Sequence, residues 1–184
     1  MILIGIGSNL PSEEFGSPLA TCEAALAALG ALKDEAGQPV LKILARSRWF
    51  ESAPVPLSDQ PWFINAVVSI ETLLRPQSLL SCLHDIEAQF GRTRRTRNEA
   101  RILDMDLLAY GDVVSGQEGQ EGEGEEKEGN MVLPHPRIGV RAFVLLPLAD
   151  IAPDWRHPAS GEPLERLIAA LDADQVIRPV ELAP

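Results

Sequence analysis

The sequence predicts an α+β fold, a ferredoxin-like sandwich with an antiparallel sheet, built on a split βαβ pattern with additions at the C-terminal end. Three observations carry this. Segments with strand and helix character follow one another as strand, helix, strand, strand, helix, strand. Both helical segments open on a proline, Pro18 behind Ser17 and Pro76, as helix starts prefer. Two later segments, 62–72 and 102–110, show the period of two expected of half-buried strands.

Taken in order, Met1 to Gly7 is a short apolar run, read as a buried central strand, and it leads into Gly5-Ile6-Gly7-Ser8-Asn9-Leu10. Glycines at a strand end allow a tight turn or close approach of backbone to a ligand. The spacing is not the dinucleotide fingerprint, because a third glycine is missing and no helix begins at once. Behind Ser17, Leu19, Cys22, Leu26 and Leu29 fall on one helical face, and Gly30 suits the helix end. Residues 40–51 read as one strand of mixed polarity. The stretch 51–61 contains Pro54, Pro56 and Pro61, which stiffen it as a connection or a pocket wall. In 62–72, Ile64, Ala66, Val68 and Ile70 face one way, and Phe63, Asn65, Val67 and Ser69 the other. After Pro76, Leu79, Leu83, Ile86 and Phe90 form the buried face of a second helix. Pro163 to Leu171 reads as a short outer helix.

Composition narrows the function. The 184 residues suffice for one domain spanning 1–184 with its own core. A formal net charge of −11 argues against nucleic acid as a partner, which calls for a broad basic surface. No apolar run reaches the ~18 residues of a membrane span. The chain opens on a strand rather than a basic leader, so a cytoplasmic monomer acting on small molecules is expected. Cys22 and Cys82 lie among leucines in helical patterns, as buried free thiols rather than a disulfide. Residues 117–129 hold six Glu, four Gly and one Lys, which cannot bury apolar surface and read as a solvated, flexible insert.

The chemistry concentrates in 91–111. Arg92, Arg94, Arg95, Arg97 and Arg101 run into Ile102-Leu103-Asp104-Met105-Asp106-Leu107. Alternation puts Asp104 and Asp106 on one face of a strand and Leu103, Met105 and Leu107 on the other. Two carboxylates roughly 7 Å apart, at ~3.3 Å per residue, can seat Mg²⁺ while leaving positions for water and phosphate. Five arginines in an acidic chain supply partners for the remaining phosphate oxygens. The bland reading is a solvated acidic strand face behind a solvated basic loop. Phosphoryl transfer is the reaction class that needs metal and cations together. Elsewhere, Phe63 and Asn65 share a face and can stack a flat heterocycle and read its edge. A structural asparagine explains the same pattern. His135, held between Pro134 and Pro136, suits a phosphate contact or proton transfer.

Four segments, Gly5 to Leu10, Gln60-Pro61-Trp62-Phe63-Ile64-Asn65, Arg101 to Leu108 and Leu133-Pro134-His135-Pro136-Arg137, occur in this order, followed by Phe143 and Pro147-Leu148. Together they resemble the 6-hydroxymethyl-7,8-dihydropterin pyrophosphokinase family over residues 1 to about 170. The resemblance implies transfer of pyrophosphate from ATP to the pterin's hydroxymethyl oxygen, giving the pterin diphosphate and AMP in folate biosynthesis. It implies that Asp104 and Asp106 hold two Mg²⁺ ions, with Arg92 and Arg101 joining them in catalysis. It places Glu87, Arg92, Arg94, Arg101, His135 and Arg141 at the nucleotide, with Arg95 where a basic residue is usual. Gly7, Ser52, Val55, Phe63, Asn65 and Phe143 fall to the pterin, the two phenylalanines as stacking partners. The chain departs from the family pattern at Asn98 and at Glu99-Ala100. Two other classes compete: a two-metal phospho- or nucleotidyltransferase with another substrate, and a non-catalytic small-molecule-binding domain on the same sandwich.

Overall fold

A computed structural model describes residues 1–91, 100–116 and 131–181. Arg92, Arg94, Arg95 and Arg97, and the acidic stretch 117–129, therefore lie outside the described residues.

The first strand, β1 (Ile2–Ser8), sits between two antiparallel neighbours. Helix α1 (Pro18–Gly30) follows, with Ser17 as its cap accepting from the Ala20 N–H at 3.3 Å. Then come β2 (Leu41–Arg46), β3 (Phe50–Ser52), the long β4 (Phe63–Thr72), α2 (Pro76–Gln89) and β5 (Asp104–Tyr110). A 3₁₀ turn over Ile138–Val140 leads into α3 (Ala142–Ile151), α4 (Leu164–Ala169) and a last strand, β6 (Ile177–Pro179). The sheet order is β5-β1-β4-β3-β6, with β2 also paired to β4. With β2 and β3 counted as one interrupted strand, this is the ferredoxin-like arrangement, extended by β6.

The expected single strand over 40–51 is split. Ser47 still pairs with β4, but half of that pairing uses its side chain: its N–H donates to the Val67 carbonyl at 3.0 Å and its Oγ accepts from the Val67 N–H at 3.1 Å. Arg48 then turns out of the sheet and grips the Asp150 carboxylate at the end of α3 at 2.8 and 2.9 Å. Leu145 to Leu148, not expected to be helical, lie inside α3 despite Pro147.

Alternation divides the sheet into two faces. Ile4, Ile6, Ala66, Val68, Ile70, Met105 and Leu107 meet Cys22, Ala25 and Leu29 of α1 and Leu79, Leu83 and Ile86 of α2. On the other face, Leu3, Val67, Leu108 and Ala109 meet Val144, Leu145 and Leu148 of α3 and Leu164 and Leu167 of α4. This second cluster covers only part of its face. Towards the C-terminal end of β1 the same face carries Gly5, Gly7, Asn65, Asp104 and Asp106. There the helices give way to an open hollow.

Both cysteines are free. Cys22 is fully buried, and burial pushes its thiol up to about 12; Cys82, on α2, is partly exposed. Among the described residues, no helix is long and apolar enough to cross a membrane.

Candidate active site

The hollow is a wide, open-mouthed cavity on this face of the sheet. Its floor is sheet, where Gly7 pairs with both Asn65 and Asp104, and Gly5 with Asp106. Its walls are the 52–60 stretch on one side and Arg101, His135, Arg137, Arg141 and Phe143 on the other.

One half of the site is charged. Asp104 and Asp106 lie on the same face of β5, as the alternation requires, and both line the cavity. Arg101 Nη1 stands 2.6 Å from Asp104 Oδ1, and Arg141 Nη1 stands 3.8 Å from Asp106 Oδ2. His135 enters from a turn fixed to the sheet, its N–H donating to the Leu108 carbonyl at 2.8 Å. Burial, then the Arg141 and Arg137 charges, push its imidazole down to about 4, against a smaller opposing pull from Asp104. His135 is therefore neutral near pH 7. Its Nδ1 accepts from the Arg137 N–H at 3.1 Å, so the ring proton sits on Nε2, which is left as a donor. Arg141 is also lowered, first by burial and then by Arg137.

The other half is aromatic and amide. Asn65 is 6% exposed, and its Nδ2 donates to Ser52 Oγ at 3.0 Å. A Cβ at Gly7 would lie 3.1 Å from Asn65 Oδ1, so the bare glycine makes room for this amide. Phe63, Phe143, Ser52 and Val55 line the same region.

Most of the residues singled out in the sequence thus meet in one cavity: Gly7, Ser52, Val55, Phe63, Asn65, Arg101, Asp104, Asp106, His135, Arg141 and Phe143. Arg92 and Arg94 lie outside the described residues. Glu87 is not part of the lining. It is 1% exposed on the inner side of α2, and its Oε1 accepts from the Met105 N–H at 2.7 Å. It grips β5 between the two aspartates from behind.

Two contributors escaped the sequence reading. Arg137 adds a third guanidinium to those of Arg101 and Arg141, next to the neutral His135. Asn9, almost fully buried, joins Arg101 to the 60–61 stretch: its Oδ1 accepts from the Arg101 N–H at 2.7 Å and its Nδ2 donates to the Pro61 carbonyl at 3.1 Å. Both stand inside segments quoted above, but neither spacing nor polarity marks them.

Hard carboxylate oxygens on a rigid strand suit a divalent magnesium ion. Among the described residues, no group of three or more His, Cys, Asp or Glu is placed to hold a metal ion by itself. Water and ligand oxygens would have to complete the coordination, as is usual for Mg²⁺.

Fold and cavity together are those a phosphoryl-transfer enzyme on a ferredoxin-like frame would need. The chain belongs to the 7,8-dihydro-6-hydroxymethylpterin-pyrophosphokinase (HPPK) family, whose model matches residues 3–153. It is 38% identical over 176 residues to the 2-amino-4-hydroxy-6-hydroxymethyldihydropteridine pyrophosphokinase of Methylorubrum extorquens, covering 95% of this chain and 96% of that protein. With the enzyme of that name from Pseudomonas aeruginosa it shares 34% over 177 residues, 96% of this chain and 95% of that one. Among solved structures, Plasmodium falciparum HPPK-DHPS with SDX-DHP superimposes with a TM-score of 0.64 at 14% identity, over 91% of this chain and 43% of that one. The likeness to that structure is one of fold, and this chain spans less than half of its length.

Proposed function

We propose that this chain catalyses the pyrophosphate transfer of its family, from ATP to the hydroxymethyl group of 6-hydroxymethyl-7,8-dihydropterin in folate biosynthesis. The hydroxymethyl oxygen attacks the β-phosphorus. The new oxygen–phosphorus bond forms as the bond from that phosphorus to the α,β-bridging oxygen breaks. AMP leaves, and the hydroxyl proton is released to solvent. The observation that carries the reading is the division of one cavity into an acid-and-guanidinium half and an aromatic-and-amide half.

In this reading Asp104 and Asp106 hold two Mg²⁺ ions, which when bound supply charge neutralisation across the triphosphate. Arg101 and Arg141, which lean on those carboxylates, turn their remaining donors to phosphate oxygens. His135 adds a neutral Nε2–H donor. It stabilises negative charge without carrying a proton away, so positioning and electrostatics dominate the rate. Arg92 and Arg94, on sequence grounds, complete the phosphate contacts. Phe63 and Phe143 enclose the flat pterin, and Asn65, oriented by Ser52, pairs with its edge. Val55 and Gly7 bound the slot with backbone.

The test is product analysis. Adding the reduced pterin alcohol to enzyme, ATP and Mg²⁺ produces AMP in step with pterin diphosphate. Release of ADP instead, or of AMP regardless of the pterin, overturns the assignment.

A further inference from the structure

The family match ends at residue 153, yet the chain beyond it returns to the elements that wall the cavity. Strand β6 pairs with β3, setting Ser52 opposite Ile177, and the next residue, Ala53, donates its N–H to the Val176 carbonyl at 3.0 Å. One residue earlier, Gln175 reaches the opposite wall. Its Oε1 accepts from the Ala142 N–H at 2.8 Å, and its Nε2 donates to the Val140 carbonyl at 2.9 Å. Those two backbone groups flank Arg141.

We infer that Gln175 is a positioning residue for Arg141, holding that guanidinium over the phosphate half of the cavity. Arg141 is the residue before α3. It has extended backbone, φ −111° and ψ 112°, and its own side chain makes no capping bond. The first N–H groups of a helix lack intrahelical partners, and here Gln175 supplies one from a distance. From Val144 onward the helix is anchored by buried contacts with Leu3, Val67 and Leu108. Ile138, at the start of the turn ahead, is buried in the same cluster, but Val140 and Arg141 lie outside it between the two anchors, so the clamp on residues 140 and 142 sets where the guanidinium points. Only a primary amide of this length accepts from one group and donates to the other at once. Glutamate has no proton for the Val140 carbonyl; methionine keeps the length and loses both bonds.

The inference rests on Arg141 contacting the nucleotide, so the experiment is a double-mutant cycle. Gln175→Met, Arg141→Ala and the double variant are compared with the parent by steady-state kinetics, and by calorimetric titration with a non-hydrolysable ATP analogue and Mg²⁺. Gln175→Met weakens analogue binding and raises the KM for ATP by about tenfold, as for loss of two polar contacts. The KM for the pterin changes by no more than about twofold, because Phe143 packs against the buried cluster under α3 independently of the clamp. With Arg141 already removed, Gln175→Met costs nothing further. Gln175→Glu, which keeps the bond to Ala142, falls between parent and Gln175→Met. Equal losses in both backgrounds, or no loss in the parent, overturn the inference while leaving the Arg141 reading intact. An Arg141→Ala enzyme that binds the analogue normally overturns the Arg141 reading and the inference with it. Circular dichroism confirms that each variant is folded before it is compared.

Discussion

Asn9 clasps Arg101 on both sides of its backbone. The Asn9 N–H donates to the Arg101 carbonyl at 3.0 Å, while its side-chain Oδ1 accepts from the Arg101 N–H at 2.7 Å. The end of β1 thereby fixes the residue whose guanidinium meets Asp104. Asn9→Ala leaves the part-buried Arg101 N–H without its partner, at a cost of about 1 kcal/mol in stability. Turnover falls by roughly 10- to 100-fold as Arg101 loosens. Asn9→Asp keeps the acceptor and loses the donor to Pro61, so it retains more activity than Asn9→Ala. Thermal melts and steady-state rates on the pair check both statements; equal rates in the two variants would reject the clasp as the cause.

Replacing either cavity carboxylate by its amide conserves shape and removes charge. Asp104→Asn and Asp106→Asn each lose at least ~100-fold in AMP production, with unchanged circular dichroism. Binding of an ATP analogue also ceases to depend on Mg²⁺ in these variants. Wild-type rates in either would remove that residue from the metal assignment.

Gly7→Ala places a methyl group 3.1 Å from Asn65 Oδ1, so the amide must shift by a few tenths of an ångström. The KM for the pterin rises by about three- to tenfold, as for a weakened hydrogen bond. The KM for ATP stays unchanged. Titration of each substrate separately decides the matter, and a variant affected mainly towards ATP would contradict it.

His135 gives the free protein a signature in pH. Its folded value, about 4, lies below the ordinary 6.5, so the unfolded chain binds the proton more tightly. Its contribution to stability is complete above 6.5 and is lost as pH falls towards about 4. Denaturant midpoints measured across that window decline with falling pH, and His135→Asn makes the decline shallower. The expected outcome of a proton NMR titration is an imidazole midpoint near 4. A midpoint at 6 or above would mean the ring is not shielded as described.

Deletion of residues 118–128 leaves the reaction within about twofold of the parent, because paired backbone bonds between Ser115 and Leu133, at 2.8 and 3.0 Å, already close the segments on either side. A folded but inactive deletion would show that this stretch takes part in the chemistry.

How far the sequence carried the argument depends on how local each signal is. The shared face of Asp104 and Asp106 follows from the pleat alone, and so does that of Phe63 and Asn65. Both helix starts were legible because Pro18 and Pro76 mark them directly. Longer-range partnerships left no such mark. The resemblance places Glu87 at the nucleotide, and only the fold reveals that its oxygen accepts from the Met105 N–H on β5. Strand β6 is three residues long and contains proline, so it is defined by its pairing with β3 rather than by its own pattern. Pro147 conceals α3, since a proline within ten residues is normally a helix breaker, and here core contacts prevail. Asn9 and Gln175 act on backbone groups far along the chain, where composition has nothing to say.

The contrast between the two thiols bears on how the protein can be watched at work. Cys22 is sealed between α1 and the sheet, where its proton is held far too tightly for a maleimide to find a thiolate. Cys82 is half-buried on the helix layer behind the sheet from the cavity, and burial and then the Asp85 charge raise its thiol as well. Alkaline pH therefore favours labelling at Cys82 over Cys22, at a native position from which ligand arrival can be followed from the far side of the floor.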